Sequence, residues 1–149
     1  MESKCPSCGA AYSTPGDCCA ARFDELLALD HSRTEPWGSR HAIAFSVFAL
    51  QHADRFDRKV LQRSWTLLCN VCEQGHDLQR ITAAFRRSGN KDTGWESAPL
   101  PSGSPTPPFA VTIADLGAFG AETYPELLDR WCNATLAHWR SARPNKGSL

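Results

Sequence analysis

The sequence predicts a mainly α protein, a single-domain bundle of five or six helices. Three observations carry that expectation. Apolar residues recur at helical spacing through most of the chain, from Phe23 to Trp139. Capping residues and breakers, Asp17, Thr34, Asp57 and Gly75 among them, punctuate those stretches. No stretch alternates convincingly as a strand. The first nineteen residues stand apart. They hold Cys5-Pro-Ser-Cys8-Gly9 and the adjacent pair Cys18-Cys19, with too few apolar side chains to fold unaided. A cross-link is expected there, and a zinc knuckle is the expected form of it.

A length of 149 residues with 42% hydrophobic content suits one core, so residues 1–149 are read as one domain. Residues 1–17 form the knuckle and a loop, punctuated by Pro6, Gly9, Pro15 and Gly16. Residues 18–87 hold four helices. The first starts at Cys18 or Cys19 with Asp17 as N-cap and runs to His31, with Phe23, Leu26, Leu27 and Leu29 inward. The second runs from Trp37 to Ala53, with Thr34 as cap and Pro36 in its first turn. Its middle, His41 to Leu50, is apolar on nearly every face, which predicts the central helix. The third runs from Asp57 to Glu73 on a stripe of Val60, Leu61, Trp65, Leu67, Leu68 and Val71, and Gly75 stops it. The fourth spans Asp77 to Arg87, with Leu78, Ile81, Ala84 and Phe85 inward.

Residues 88–109 are rich in Gly, Pro, Ser and Thr and read as a long exposed loop. Residues 110–149 hold the C-terminal helices and a short tail. Thr112-Ile-Ala-Asp115 predicts a capping box for a short helix to Phe119. Thr123-Tyr-Pro-Glu126 predicts a second box, opening a last helix from Tyr124 to Arg143. Leu127, Leu128, Trp131, Leu136 and Trp139 face inward on it, and beyond Pro144 a frayed tail is expected.

Two thiolates spaced as in Cys5 and Cys8 can reach one ion at about 2.3 Å, with the following Gly permitting the tight turn. Two further ligands are required. Cys18 and Cys19 are nearest, and one of them is expected, because adjacent side chains diverge. The fourth ligand follows from helix geometry. If helices one and two form an antiparallel hairpin, Cys19 lies at the end away from the turn, level with Gln51 and His52. His41 falls level with about Leu27. His41 and His52 stand roughly 16 Å apart along the axis and cannot share an ion. The expected set is therefore Cys5, Cys8, Cys19 and His52.

Cys69-Asn-Val-Cys72 is a second C-x-x-C, set in a helix without Gly. A helix C-terminus raises thiol pKa, so two small buried side chains are expected rather than a redox pair. The rival is a site of Cys5, Cys8, Cys69 and Cys72. Cys132 reads as core. His41 reads as a buried His donating to a backbone carbonyl, or else as a functional His beside Asp54, Asp57 or His138. No nucleophilic triad, H-E-x-x-H or phosphate-binding Gly loop is present in the sequence.

Cys5-Pro-Ser-Cys8-Gly9-Ala10, then Cys19 with Phe23, Leu26, Leu27 and Leu29, then His41 and Leu50-Gln51-His52, is similar to a group of small bacterial proteins of unknown function. That group has an N-terminal C-P-x-C-G, a downstream Cys opening a short helix, a central helix ending in a Q-H-P-like triplet and a Trp-rich last helix, matched here by Trp131 and Trp139. Ala53 stands where the group's Pro is expected, and Cys18 and the Cys69/Cys72 pair are extra. The resemblance favours Cys19 over Cys18 and His52 over His31. It implies no activity.

Lys+Arg and Asp+Glu each count 16, so a basic surplus for nucleic acid is missing. No apolar run approaches the roughly 20 residues of a membrane span, and no signal peptide is recognised, so a cytoplasmic location is expected. There, clustered Cys points to metal rather than disulfides. The expected function is a structural zinc protein acting as a binding or interaction module for a protein or small molecule. The alternatives are a metal-dependent enzyme using His41, His52 and nearby carboxylates, and a nucleic-acid-binding regulator.

Overall fold

The computed structural model describes residues 2–88 and 98–142, with the side chains of residues 85, 87 and 88 outside that description. The inward face expected of Phe85, the end of the last helix at Arg143 and the tail beyond it thus lie outside the described residues. The protein is mainly α, as its periodicity requires. Five α-helices are described: α1 (Cys19–His31), α2 (His41–Gln51), α3 (Arg58–Leu68), α4 (Leu78–Ser88) and α5 (Tyr124–Ser141).

Helix α2 is the central element. Ala44, Val47, Phe48, Ala49, Leu50 and Gln51 are all buried on it. It packs against α1, α3 and α5. A helix without a polar face has to be covered on several sides. Trp65 and Leu68 of α3 and Leu128, Trp131 and Leu136 of α5 cover it from the far sides and are all buried. Trp139 donates its indole N–H to the carbonyl of Leu50 at 2.8 Å, which satisfies a C-terminal carbonyl of α2. Cys132 is buried in this core, as expected.

Several boundaries differ from the sequence reading. Cys18, not Asp17, is the N-cap of α1, its Sγ accepting from the Ala21 amide at 3.4 Å. The second helix starts at His41 rather than Trp37, behind a 3-10 turn at Gly38–Arg40. Gly38 packs on the Arg33 backbone, so the chain turns tightly there before it can wind as α. The helix ends at Gln51, and Ala53–Arg55 forms another 3-10 turn. The third helix passes into a π turn over Cys69–Glu73 and stops at Gly75, whose φ is +72°.

Thr112 and Asp115 form the expected box, the Asp115 carboxylate accepting the Thr112 amide at 2.8 Å, but the helix it opens is a 3-10 turn, Ile113–Leu116. The second box does not form. The Thr123 backbone is already helical, and its hydroxyl donates to the Gly120 carbonyl, while Glu126 pairs with Arg130 one turn on. A two-stranded antiparallel sheet is also present, β1 (Ser3–Lys4) with β2 (Ala11–Tyr12). Strands of two residues are too short for alternation to reveal.

The Pro-rich segment is the largest departure. Its described part, 98–109, is docked rather than fully exposed: Leu100 and Phe109 are buried. Gln62 of α3 donates to the Ala98 carbonyl at 2.7 Å and accepts the Leu100 amide at 2.9 Å. His138 bonds the Thr106 carbonyl at 2.6 Å and lies against the Phe109 ring. Composition counts few apolar residues in such a segment, but two well-placed ones and a clamp of side-chain hydrogen bonds are enough to seat it.

Candidate metal centre

The knuckle is built by its own backbone. The Cys5 amide donates to the Ala10 carbonyl at 2.8 Å, and the Gly9 amide to the Cys5 carbonyl at 2.9 Å. Gly9 takes φ +86°, a left-handed conformation that glycine adopts freely. The pairing of β1 with β2 closes the hairpin behind it. The fold then delivers the other two residues. Asp30 lies opposite His41, the Phe23 ring stacks on Phe48, and Cys19 meets His52, all in one antiparallel register of α1 on α2. That register pairs His41, eleven residues before His52, with Asp30, eleven residues after Cys19, and not with the level of Leu27.

One ligand atom from each of Cys5, Cys8, Cys19 and His52 lies within 4.8 Å of the other three. The sulfurs of Cys8 and Cys19 are 3.5 Å apart. Tetrahedral thiolate ligands at about 2.3 Å from an ion are about 3.8 Å apart, so the spacing fits. The imidazole of His52 is fully buried and stacked on Phe48 at 4.1 Å between centroids. Its Nδ1 donates to the Phe48 carbonyl at 2.8 Å, and its Nε2 is buried without a hydrogen-bond partner. A histidine held through one ring nitrogen presents the other as a lone pair, which is the tautomer a metal ligand needs. The orphaned Nε2 amid three sulfurs is the observation that fits an ion to this cage.

Electrostatics concentrates negative charge on Cys19. The Cys8 hydrogen bond, followed by the nearness of the His52 imidazole and the Tyr12 hydroxyl, draws its thiol down to about 4 against the cost of burial. Cys8 is pushed up by the same bond and by burial. The Tyr12 hydroxyl donates to Cys19 Sγ at 3.0 Å, and burial followed by the Cys19 hydrogen bond raises its own pKa. Tyr12 went unnoticed in the sequence. Its signal was a lone aromatic residue closing an otherwise polar knuckle.

Residues 3–140 match the family of unknown function DUF5946. The chain belongs to that family. No curated protein and no solved structure matches it. The DUF5946 match covers the knuckle, the central helix and nearly all of α5, the same span as the motifs quoted above.

The remaining candidates fall elsewhere. Cys18 is exposed and caps α1, so it is outside the cage of this DUF5946 chain. Cys69 and Cys72 lie on the π turn and join no group with Cys5 and Cys8 among the described residues. Burial, and then the Glu73 carboxylate, push Cys69 up to about 12, and Cys132 is raised by its bond to Cys72 and by burial. Thiols raised in this way are poor nucleophiles. His41 does not donate to a backbone carbonyl. Its Nδ1 bonds the Asp30 carboxylate at 2.9 Å, and its side chain is 42% exposed. Neither Asp57 nor His138 reaches it: Asp57 caps α3, and His138 holds Thr106. Asp54 accepts from Ser7 Oγ at 2.7 Å. Among the described residues, no helix is long and apolar enough to cross a membrane.

Gly9 is where the knuckle meets the Pro-rich segment. A Cβ there would sit 2.8 Å from the Cα of Pro108, on a backbone already at φ +86°. Gly9→Ala is expected to cost about 2–4 kcal/mol, from the left-handed backbone and the overpacked contact together. Equilibrium unfolding of the metal-loaded protein measures it, and a change below 0.5 kcal/mol, taken as roughly the scatter of neutral surface substitutions, contradicts it.

Proposed function

We propose that this protein is a zinc-stapled binding module, in which the metal holds the knuckle and the knuckle closes a small-molecule site. Three thiolates and one imidazole are a soft, tetrahedral set suited to zinc, and four protein ligands leave no position open for water. The ion is then structural, which disfavours the metal-dependent enzyme. Zero net charge disfavours the nucleic-acid regulator. Thiolate ligands also need a reducing compartment, in keeping with the expected cytoplasmic location.

The observation that carries the binding reading is a cavity of about 490 Å³ between the knuckle and the Pro-rich segment. Pro6 and Ser7 of the knuckle form one wall, and Leu100 to Phe109 form another. The two walls are joined: the Phe109 amide donates to the Cys8 carbonyl at 2.9 Å, and Gly9 packs on Pro108. A ligand site of roughly 300–1,000 Å³ is typical for small molecules.

Metal analysis and an NMR fragment screen test the proposal together. One zinc per chain is expected, and its loss in Cys8→Ser. Fragments that bind are expected to perturb the amides of 100–109 together with those of Ser7 and Asp54. A chain that binds no zinc, or a screen whose hits all map away from this cavity, refutes the reading.

A further inference from the structure

We propose that Asp30 and His41 form a proton-operated clasp, which fastens the last turn of α1 to the first turn of α2 while His41 carries a proton and slackens as that proton leaves. The clasp is independent of the cavity. It stands about 16 Å along the helices from the candidate metal centre, since Asp30 follows Cys19 by eleven residues and His41 precedes His52 by eleven.

A carboxylate is out of place where Asp30 stands. Its side chain is 1% exposed, and Leu26, one turn earlier on α1, is fully buried. His41 Nδ1 donates to Asp30 Oδ2 at 2.9 Å, while Oδ1 is buried without a hydrogen-bond partner. One imidazole therefore compensates the whole group. Burying a carboxylate is costly unless an opposite charge and hydrogen bonds offset it. An imidazolium offers both. A neutral imidazole keeps the Nδ1–H bond but loses the charge that makes such a bond about twice as strong. The His41 side chain is 42% exposed, so its other nitrogen trades a proton with water without any opening of the fold.

No other group takes over from the imidazolium. His31 of α1 faces His41 at 5.8 Å between ring centroids and is itself exposed. Arg40, in the 3-10 turn before α2, turns its guanidinium to the Pro36 carbonyl. Tyr124 of α5 is fully buried, and burial, then the Asp30 charge, push its hydroxyl up, so it stays neutral. Among the described residues, α3 brings no charge to bear on His41. The Asp30 bond raises the His41 pKa above its ordinary 6.5, against the opposing effect of burial. The clasp is then at full strength below 6.5, where an unfolded histidine is also charged, and is lost as the pH rises through the higher folded value. The segment it governs is the end of α1 and the connection 32–40, from which Trp37 reaches the Phe119 carbonyl at 2.9 Å.

NMR of the full chain from about pH 6 to about pH 9 provides the test. The His41 ring is expected to titrate above 6.5, and Asp30→Asn is expected to bring it down to that value or below. Amide protection factors, which divide out the intrinsic rise of exchange with pH, are read over 28–33 and 38–44. They are expected to fall about 3–10-fold through the His41 midpoint, a charge-assisted gain discounted for the exposure of the ring. His41→Gln keeps a donor without the charge and is expected to show the alkaline level of protection at every pH. His31→Gln is expected to keep the wild-type response. A His41 midpoint at or below 6.5 refutes the clasp, as does protection that ignores that midpoint. So does a response that survives in His41→Gln or vanishes in His31→Gln. If Asp30→Asn does not fold, the wild-type titration and the two His variants still decide the matter.

Discussion

Stripping the metal with a chelator is expected to lower the melting temperature by about 10–20 °C. Binding of a structural zinc supplies on the order of 10 kcal/mol of apparent free energy at neutral pH. Even half of that, at roughly 2–4 °C per kcal/mol for a chain of this size, produces the shift. The residues that feel it first are those nearest the ion: β1, the turn through Cys8 and β2. The docked segment follows, because Phe109 hangs on the Cys8 carbonyl. Residues on α3 and α5 keep their core through Trp65, Trp131 and Leu136. Calorimetry with and without EDTA, alongside amide exchange, reads both effects. Equal melting temperatures, or exchange that rises uniformly over the chain, would falsify a local staple. His52→Ala is expected to act in the same direction, since it removes the candidate ligand that would tie the knuckle to the end of α2. Acidification should also release the ion, because each thiolate must regain its proton as the metal leaves.

Phe48→Ala is expected to cost about 3–5 kcal/mol, the range for truncating a buried aromatic side chain. The ring is 4% exposed. It sits between Phe23 and His52, at 4.1 Å from each ring centroid. The backbone carbonyl that holds His52 Nδ1 survives the substitution, but the ring that fixes the imidazole plane does not. Stability and metal retention should therefore fall together. Phe45→Ala, at a partly exposed position on the same helix, should cost clearly less. Denaturant titration of both variants decides it, and comparable losses at the two positions would contradict the account.

Both effects depend on a register that the sequence made partly legible. The Cys-Pro-Ser-Cys-Gly run names two candidate ligands on spacing alone, since a knuckle is local chemistry. Cys19 and His52 were reachable through helical rise, because a helix carries position along a predictable axis. His41 was expected level with Leu27, but the register that joins Cys19 to His52 carries it eleven residues along α1, to Asp30. Asp30 was invisible as its partner. It sits on α1 among apolar neighbours, and only the approach of α2 shows why a carboxylate is buried there at 5% exposure. Cys19 lies with Cys5, Cys8 and His52, while Cys18 is exposed and caps α1 through the Ala21 amide.

What the sequence by itself pointed to is the set of helices, the identity of the central one and the four residues of the candidate metal site. Each follows from periodicity, from an apolar run without a polar face, or from a short-range motif, all properties of neighbours along the chain. Only the tertiary structure decided where the Pro-rich segment goes, which oxygen holds His52 in its ligand tautomer and that Tyr12 covers Cys19. The docking of the Pro-rich segment depends on groups far apart in the sequence meeting at a few ångströms, whereas the His52 and Tyr12 bonds span only four and seven residues and are contacts that periodicity does not register. The Ala98 and Thr106 carbonyls and the Leu100 and Phe109 amides are satisfied by Gln62, His138 and the knuckle, and no pattern within the loop encodes such partners.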